Sequence, residues 1–287
     1  MWAQLSHVPF STMSAVAIAD DEPDHEVIKV HADPDALALD PHEGTLYIAD
    51  ASSGAIIRVD GEVQRRVTVI DSSGVISSNR IGGIAITPYG TLFVTRLGYG
   101  KAGAVLRVEP DGQSEEISSL SPTWWRLGMA YDPYEHALYM TQFQKAANGP
   151  SDGAILRVDL ATNRPSILIS GLVAPVGIAT LGGSLVITDA QQRGVYRVDV
   201  RDGRAEAYAE LATNLDGPDS VCACGRDSVL MTTYDEVNRL GSVRQLWLDG
   251  RMRTIACGFW QPRGVATDGE RVFVASRRSG QVMVFRL

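Results

Sequence analysis

The sequence predicts an all-β fold, a six-bladed β-propeller with four-stranded blades, and three observations predict it. A phrase of small residue, aliphatic residue and Ala recurs six times. The copies are Ala36-Leu37-Ala38, Gly83-Ile84-Ala85, Gly128-Met129-Ala130, Gly177-Ile178-Ala179, Ser220-Val221-Cys222 (Cys replacing Ala) and Gly264-Val265-Ala266. The step between copies is about 43 to 49 residues, which is the span of a propeller blade. Each copy is followed by a polar turn and further short apolar runs with Gly, Pro and Asp at their boundaries, as strands separated by turns require.

In the first repeat, Ala36–Leu39 opens the blade and Asp40-Pro41-His42-Glu43-Gly44 turns the chain. Thr45–Ala49 is the second strand, Ala55–Val59 the third and Arg66–Ile70 the fourth. The third strand has a refrain of its own: Ile57-Arg58-Val59, Leu106-Arg107-Val108, Leu156-Arg157-Val158 and Tyr196-Arg197-Val198. Its arginines alternate with apolar neighbours, so they are expected on the blade face toward solvent or a nearby loop. The last repeat runs Gly264–Thr267, Arg271–Ala275 and Gln281–Phe285 and has no fourth strand. Glu26–Val30 precedes the first repeat without a partner of its own. It is predicted to complete the last blade and close the ring, which removes an open sheet edge. The expected organisation is an N-terminal arm over residues 1–24, with Met13–Ala19 as a rim strand or channel cover, and one propeller domain over 25–287.

Composition narrows the function classes. The chain has 287 residues, 45% of them hydrophobic, enough for a shared core. A formal charge of −8 argues against nucleic acid and anionic membranes as partners and leaves a small-molecule substrate as the expectation. No run approaches a membrane span, and Met1–Asp20 lacks the basic and apolar regions of a signal peptide. Cys222 and Cys224 are two apart on one strand, so they share a face and are poorly placed to bridge. Free thiols fit a cytoplasmic protein. His7, His25, His31, His42 and His136 are scattered, and neither a Gly-x-Ser-x-Gly phrase nor a phosphate loop is present.

Three connections between second and third strands are long: Arg96–Gly103, Gln142–Gly153 and Thr233–Gly241. They share the end where each first strand begins, and long loops on one end of a rigid scaffold are where sites usually form. They carry Tyr99, Lys101, Phe143, Lys145, Tyr234 and Asp235 to one rim. The residue before each small residue should line the channel mouth: Asp35, Gly82, Leu127, Val176, Asp219 and Arg263. One position earlier stand Pro34, Ile81, Arg126, Pro175, Pro218 and Pro262. The second strands end in Asp50, Arg96, Gln142, Asp189, Thr233 and Ser276, and Trp124, Trp125 and Trp260 lie in connections to the same face. Two central carboxylates, a set of further acids and up to three arginines are therefore expected to converge. Asp35, Asp219 and Asp189 are the candidate catalytic groups, because a carboxylate can serve as general base or acid. If like charge and burial act on Asp35 and Asp219, one of the pair is expected to hold its proton. Arg126, Arg263, Arg96, Gln142, Trp125, Trp260, Tyr234 and His31 are the candidate substrate-binding residues; guanidinium groups hold a carboxylate or an oxyanion, and rigid aromatic walls suit a small-molecule site.

Pro34-Asp35-Ala36-Leu37-Ala38-Leu39-Asp40 with Leu46-Tyr47-Ile48-Ala49-Asp50, and Pro262-Arg263-Gly264-Val265-Ala266-Thr267-Asp268 with Val272-Phe273-Val274-Ala275, resemble the NHL-repeat and gluconolactonase/senescence-marker-protein group of six-bladed propellers. The resemblance covers about residues 26–287 and implies a channel-mouth enzyme that hydrolyses a lactone or ester. It also implies one divalent metal, Ca, Mn or Zn, with Asp35 and Asp219 at the positions of the family's two acids. Pro218-Asp219-Ser220 is similar to the family's Pro-Asp-Gly phrase. Pro175-Val176-Gly177 and Arg126-Leu127-Gly128 fall where the family carries asparagines, so the ligand set is incomplete unless loop residues finish it. The strictosidine-synthase branch resembles the same propeller and implies the alternative, metal-free condensation, cyclisation or lyase chemistry with Asp as acid/base and Arg as anion holder. A third alternative is an NHL-type binding module without turnover.

Overall fold

The computed structural model describes residues 26–30, 32–71, 81–98, 102–117, 119–144, 149 and 151–287. His31 and the arm over 1–24, with Met13–Ala19, lie outside the described residues, as do Tyr99, Lys101 and Lys145.

Six four-stranded antiparallel sheets form, and each inner strand packs against the inner strands of its two neighbours. The first blade is β2 (Pro34–Leu39), β3 (Leu46–Asp50), β4 (Ala55–Asp60) and β5 (Val63–Val69). Its boundaries fall within about three residues of the expected ones, with β2 starting at the proline, the position in a strand that tolerates a missing N–H. The second blade is β6 (Ile81–Ile86), β7 (Leu92–Arg96), β8 (Ala104–Val108) and the short β9 (Ser114–Glu116). The third is β10 (Trp125–Asp132), β11 (Ala137–Gln144), β12 (Asp152–Asp159) and β13 (Arg164–Leu172). The fourth is β14 (Pro175–Leu181), β15 (Ser184–Asp189), β16 (Gly194–Arg201) and β17 (Arg204–Ala212). The fifth is β18 (Pro218–Cys224), β19 (Ser228–Asp235), β20 (Leu240–Trp247) and β21 (Met252–Phe259).

The sixth blade contains both ends of the described chain. β22 (Pro262–Thr267), β23 (Arg271–Ser276) and β24 (Gln281–Arg286) are completed by β1 (Glu26–Lys29), which pairs antiparallel with β24. Ile28 packs into the layer between the sixth and first blades, and Val27 into the layer between the fifth and sixth. The predicted closure is therefore the one the chain adopts. Among the described residues no helix is long and apolar enough to cross a membrane. The third-strand arginines pair with acids: Arg58 with Asp60 and Glu43, Arg107 with Glu109, Arg157 with Glu135 and Asp159, and Arg197 with Asp199.

The recurring small residue has a physical reason. A Cβ added at Gly264 would lie 2.8 Å from the Leu37 nitrogen and 3.0 Å from the Asp35 carbonyl oxygen, so neighbouring inner strands touch backbone to backbone. Just before this residue, the pairing of first and second strands slips in every blade: Pro34/Ala36, Ile81/Ile84, Arg126/Met129, Pro175/Gly177, Pro218/Val221 and Pro262/Val265. A bulge re-aims the side chains around it. Here it turns Asp35, Gly82, Leu127, Val176, Asp219 and Arg263 onto the channel wall.

Buried threonines staple four of the seams. Thr95 Oγ accepts the Gly83 N–H (2.7 Å) and donates to the Leu127 carbonyl in the next blade (3.0 Å). Thr141 joins Gly128 N–H (2.8 Å) to the Val176 carbonyl (3.1 Å), Thr188 joins Gly177 N–H to the Asp219 carbonyl, and Thr232 joins Ser220 N–H (3.1 Å) to the Arg263 carbonyl (2.8 Å). All four are fully buried, so an unmade bond at either end is costly. Thr141→Val keeps the shape and removes both bonds. It is expected to cost about 2–3 kcal/mol, seen as a lower urea midpoint at unchanged slope. An unchanged midpoint would show that the staple carries no stability.

Candidate functional site

The channel is a space of about 280 Å³ walled by the six inner strands. Of the six residues that the bulges turn into its mouth, three are charged, and all three come from adjacent blades. Arg263 Nη1 donates to Asp219 Oδ2, and Arg263 Nε lies 3.9 Å from Asp35 Oδ1. The charge of Asp219, helped by Asp35 and Tyr234, holds Arg263 protonated well above its ordinary range, although burial opposes this. Arg263 Nε is buried and has no hydrogen-bond partner among the described residues.

Arg277 completes the cluster. It sits in the 3-10 turn Arg277–Ser279 between β23 and β24, the only such turn among the described residues. Its guanidinium chelates Asp33, with Nε at 3.0 Å from both carboxylate oxygens and Nη2 at 2.9 Å from Oδ2, and its Nε lies 4.0 Å from Asp35 Oδ1. The seam between the sixth and first blades has Ala275 where other blades have the stapling threonine, and this ion pair bridges it instead. The expectation that Asp35 and Asp219 face one another as like charges is corrected here, because Arg263 stands between them. Neither Arg277 nor Asp33 figured among the sequence candidates. Arg277 belongs to no repeated phrase, and its neighbour 244 positions away in sequence becomes visible only when the ring closes.

The remaining candidates fall behind the channel wall. Asp189 is fully buried and accepts N–H bonds from Val173, Ala174, Gln191 and Gln192 at 2.8–3.1 Å. It clasps two loop segments and does not line the channel. Asp50 does the same in the first blade, accepting from Asp33 N–H (2.9 Å), Ser52 and Ser53. Burial alone would raise its carboxyl, but the donors from Ser52, Ser53 and Asp33 outweigh it and hold the group below the usual range. Arg96 is spent on the Ala102 carbonyl (2.7 Å), the Asp71 carbonyl (3.0 Å) and Glu116 (3.3 Å). Arg126 is only 1% exposed and occupies a position that is Pro in four other blades. Its Nη2 donates to the Ser121 carbonyl (2.9 Å), whereas among the described residues Nε and Nη1 have no partner, nor has Oε1 of its strand neighbour Gln142. Burial lowers the Arg126 pKa to about 10 against the opposing pull of Glu116. Neither Arg96 nor Arg126 lines the channel, so the expected convergence of three arginines reduces to Arg263.

Trp125 packs on Phe143 at a centroid distance of 5.6 Å and a tilt of 55°. Trp260 is 48% exposed, and its carbonyl accepts a bond from Ser276 Oγ (3.3 Å). Tyr234 is half-buried and close enough to Arg263 to bear on its charge.

The described residues do not fit a divalent metal in the manner the resemblance implies. A hard cation takes six or more oxygens. The mouth offers two carboxylates, with a guanidinium bonded to one and near the other, and its remaining positions are Gly82, Leu127 and Val176. No group of three or more His, Cys, Asp or Glu that could hold an ion occurs among the described residues. Cys222, Cys224 and Cys257 form no disulfide.

No protein-family model matches the chain, and no curated protein matches its sequence. Solved structures do match its fold, and among its structural neighbours are gluconolactonase-type six-bladed propellers. A gluconolactonase from Xanthomonas campestris superposes with a TM-score of 0.72 at 12% identity, over 97% of this chain and 99% of that one. Regucalcin from Agrobacterium tumefaciens, a calcium-binding protein, gives 0.66 at 14% identity over 94% and 93%. Virginiamycin B lyase from Staphylococcus aureus gives 0.63 at 13% identity over 93% and 100%. At these identities the likeness is one of fold, and one fold carries unrelated chemistries.

Proposed function

We propose that the protein is a hydrolase that opens a small lactone or ester at the channel mouth by acid–base chemistry, with no metal. One observation carries this: Asp35 sits 3.9 and 4.0 Å from two guanidinium groups, each of which has a nearer carboxylate, Asp219 for Arg263 and Asp33 for Arg277. Asp35 is thus set among fixed positive charges in a partly enclosed mouth.

In this scheme Asp35 takes a proton from water as the water oxygen attacks the carbonyl carbon. The carbonyl oxygen becomes an oxyanion and accepts a hydrogen bond from the guanidinium of Arg263, whose side chain lines the mouth and is 32% exposed. The intermediate collapses, the ring or ester C–O bond breaks, and the leaving alkoxide recovers the proton from Asp35. The products are an alcohol and a carboxylic acid, which releases its own proton to water at neutral pH to become the carboxylate. The side chains of Leu127 and Val176, on the same wall, supply the apolar surface against which the carbon skeleton rests.

The test is turnover of a panel of sugar lactones and aryl esters by the full chain, before and after exhaustive chelation. Turnover indifferent to chelator and to added Ca²⁺, Mn²⁺ or Zn²⁺ is the expected result. Loss with chelator and rescue by one of these ions overturns the metal-free scheme. Absence of turnover across the panel overturns the hydrolase and leaves a binding module.

A further inference from the structure

A second cavity, of about 260 Å³, opens on the face opposite the mouth, at the seam of the second and third blades. It is bounded by three short turns, 87–91 after β6, 133–136 after β10 and 160–163 after β12, with Tyr131 at the end of β10 beside them. Its existence follows from blade length. β9 has three residues where β5, β13, β17 and β21 have seven to nine, so the second blade's outer edge stops short. The apolar layer between the blades is left partly uncovered, and Phe93, Ile117 and Leu160 form a floor.

The walls are aromatic and the rim is polar. Tyr131 Oη is 3.2 Å from His136 Nδ1, and the two rings meet edge to face at 6.2 Å. Tyr89 at 84% and Tyr134 at 95% exposure stand on the adjacent turns, aromatic rings that folding has left in water. Thr87, Ser119, Asn163 and Glu115 add hydroxyl, amide and carboxylate groups. The strong positive charge at the rim is already matched, since Arg107 is 2.6 Å from Glu109. Glu116 is likewise matched, at 3.3 Å from Arg96. An anionic ligand would therefore meet no uncompensated cation. A ring with one apolar C–H face and hydroxyls around its edge matches both the aromatic wall and the mixed donors and acceptors. The volume lies just below that of drug-sized sites, so it suits a single ring.

We infer that this groove is a binding site for a neutral sugar ring, separate from the channel mouth. The probe is D-glucose, titrated into the full chain and followed through the ring C–H signal of His136, identified by its loss in His136→Gln. A saturable shift with a dissociation constant of the order of millimolar is expected, as weak single-ring ligands give. Ser119→Trp fills the groove from an exposed position and is expected to weaken binding at least about tenfold while lactone or ester turnover stays unchanged. Asn163 has φ +53°, a conformation in which glycine is at ease, so Asn163→Gly removes an amide without strain and is expected to weaken binding severalfold. The inference is overturned if glucose gives no saturable shift or if Ser119→Trp leaves the shift intact. A response to tetramethylammonium without one to glucose overturns it as well, because Glu115 would then be selecting cations.

Discussion

Deleting residues 26–30 is expected to lower the melting temperature of the chain by about 10 °C, through the loss of about 4 kcal/mol. Val30 is 4% exposed and belongs to the layer between the sixth and first blades, where Ile28 joins it. Val27 faces the other way, onto the layer of the fifth and sixth blades. Three apolar side chains thus leave two cores at once, and the Val30 N–H bond to the Gly280 carbonyl (3.1 Å) goes with them. The deletion also exposes the edge of β24, and an unpaired hydrophobic edge invites association. Scanning calorimetry and light scattering together give the answer. Glu26→Gln and Lys29→Gln are the controls, because both side chains are exposed and should leave the transition where it is. A deletion that melts with the parent would mean that β24 needs no partner, and that the rest of the apolar layer with Arg277 and Asp33 is enough to hold the seam.

That seam shows what the sequence makes legible and what it hides. The repeated small-aliphatic-Ala phrase marks the inner strands because close approach forbids a side chain there, as at Gly264. It therefore reports both fold and channel wall, and Asp35, Asp219 and Arg263 are readable from it. The second strands carry a fainter phrase that passes unnoticed unless the copies are aligned: Val94-Thr95-Arg96, Met140-Thr141-Gln142, Ile187-Thr188-Asp189 and Met231-Thr232-Thr233. Its threonine is the staple, and its absence at Ala49 and Ala275 marks the seams where other contacts must act. Periodicity fails for groups that do not repeat. Arg126 occupies a proline's position and turns into the blade, while Arg277 arises in a 3-10 turn that has no second copy among the described residues. Asp189 misleads for a related reason. A carboxylate at the end of a second strand is as well suited to clasping four N–H groups as to taking a proton, and only the bond partners tell the two apart.

Asp35→Asn is expected to lower kcat for lactone or ester hydrolysis by about 10²–10⁴-fold, the usual worth of a general base, with KM changed little. The amide keeps the shape of the carboxylate and loses its affinity for a proton. Folding should survive, because Arg263 keeps Asp219 and Arg277 keeps Asp33. Arg263→Met separates the two roles of the cluster. It removes the oxyanion donor, so kcat falls, but it also takes from Asp219 its guanidinium and leaves Asp35 with Arg277 alone, so stability falls as well. Activity and melting temperature therefore discriminate between a catalytic cluster and a purely structural one. If the charges serve only to close the ring, Asp35→Asn would lose stability in step with activity, or lose neither. If they serve catalysis, Asp35→Asn loses activity at an unchanged melting temperature, and Arg263→Met loses both, because the guanidinium is the member that both jobs share.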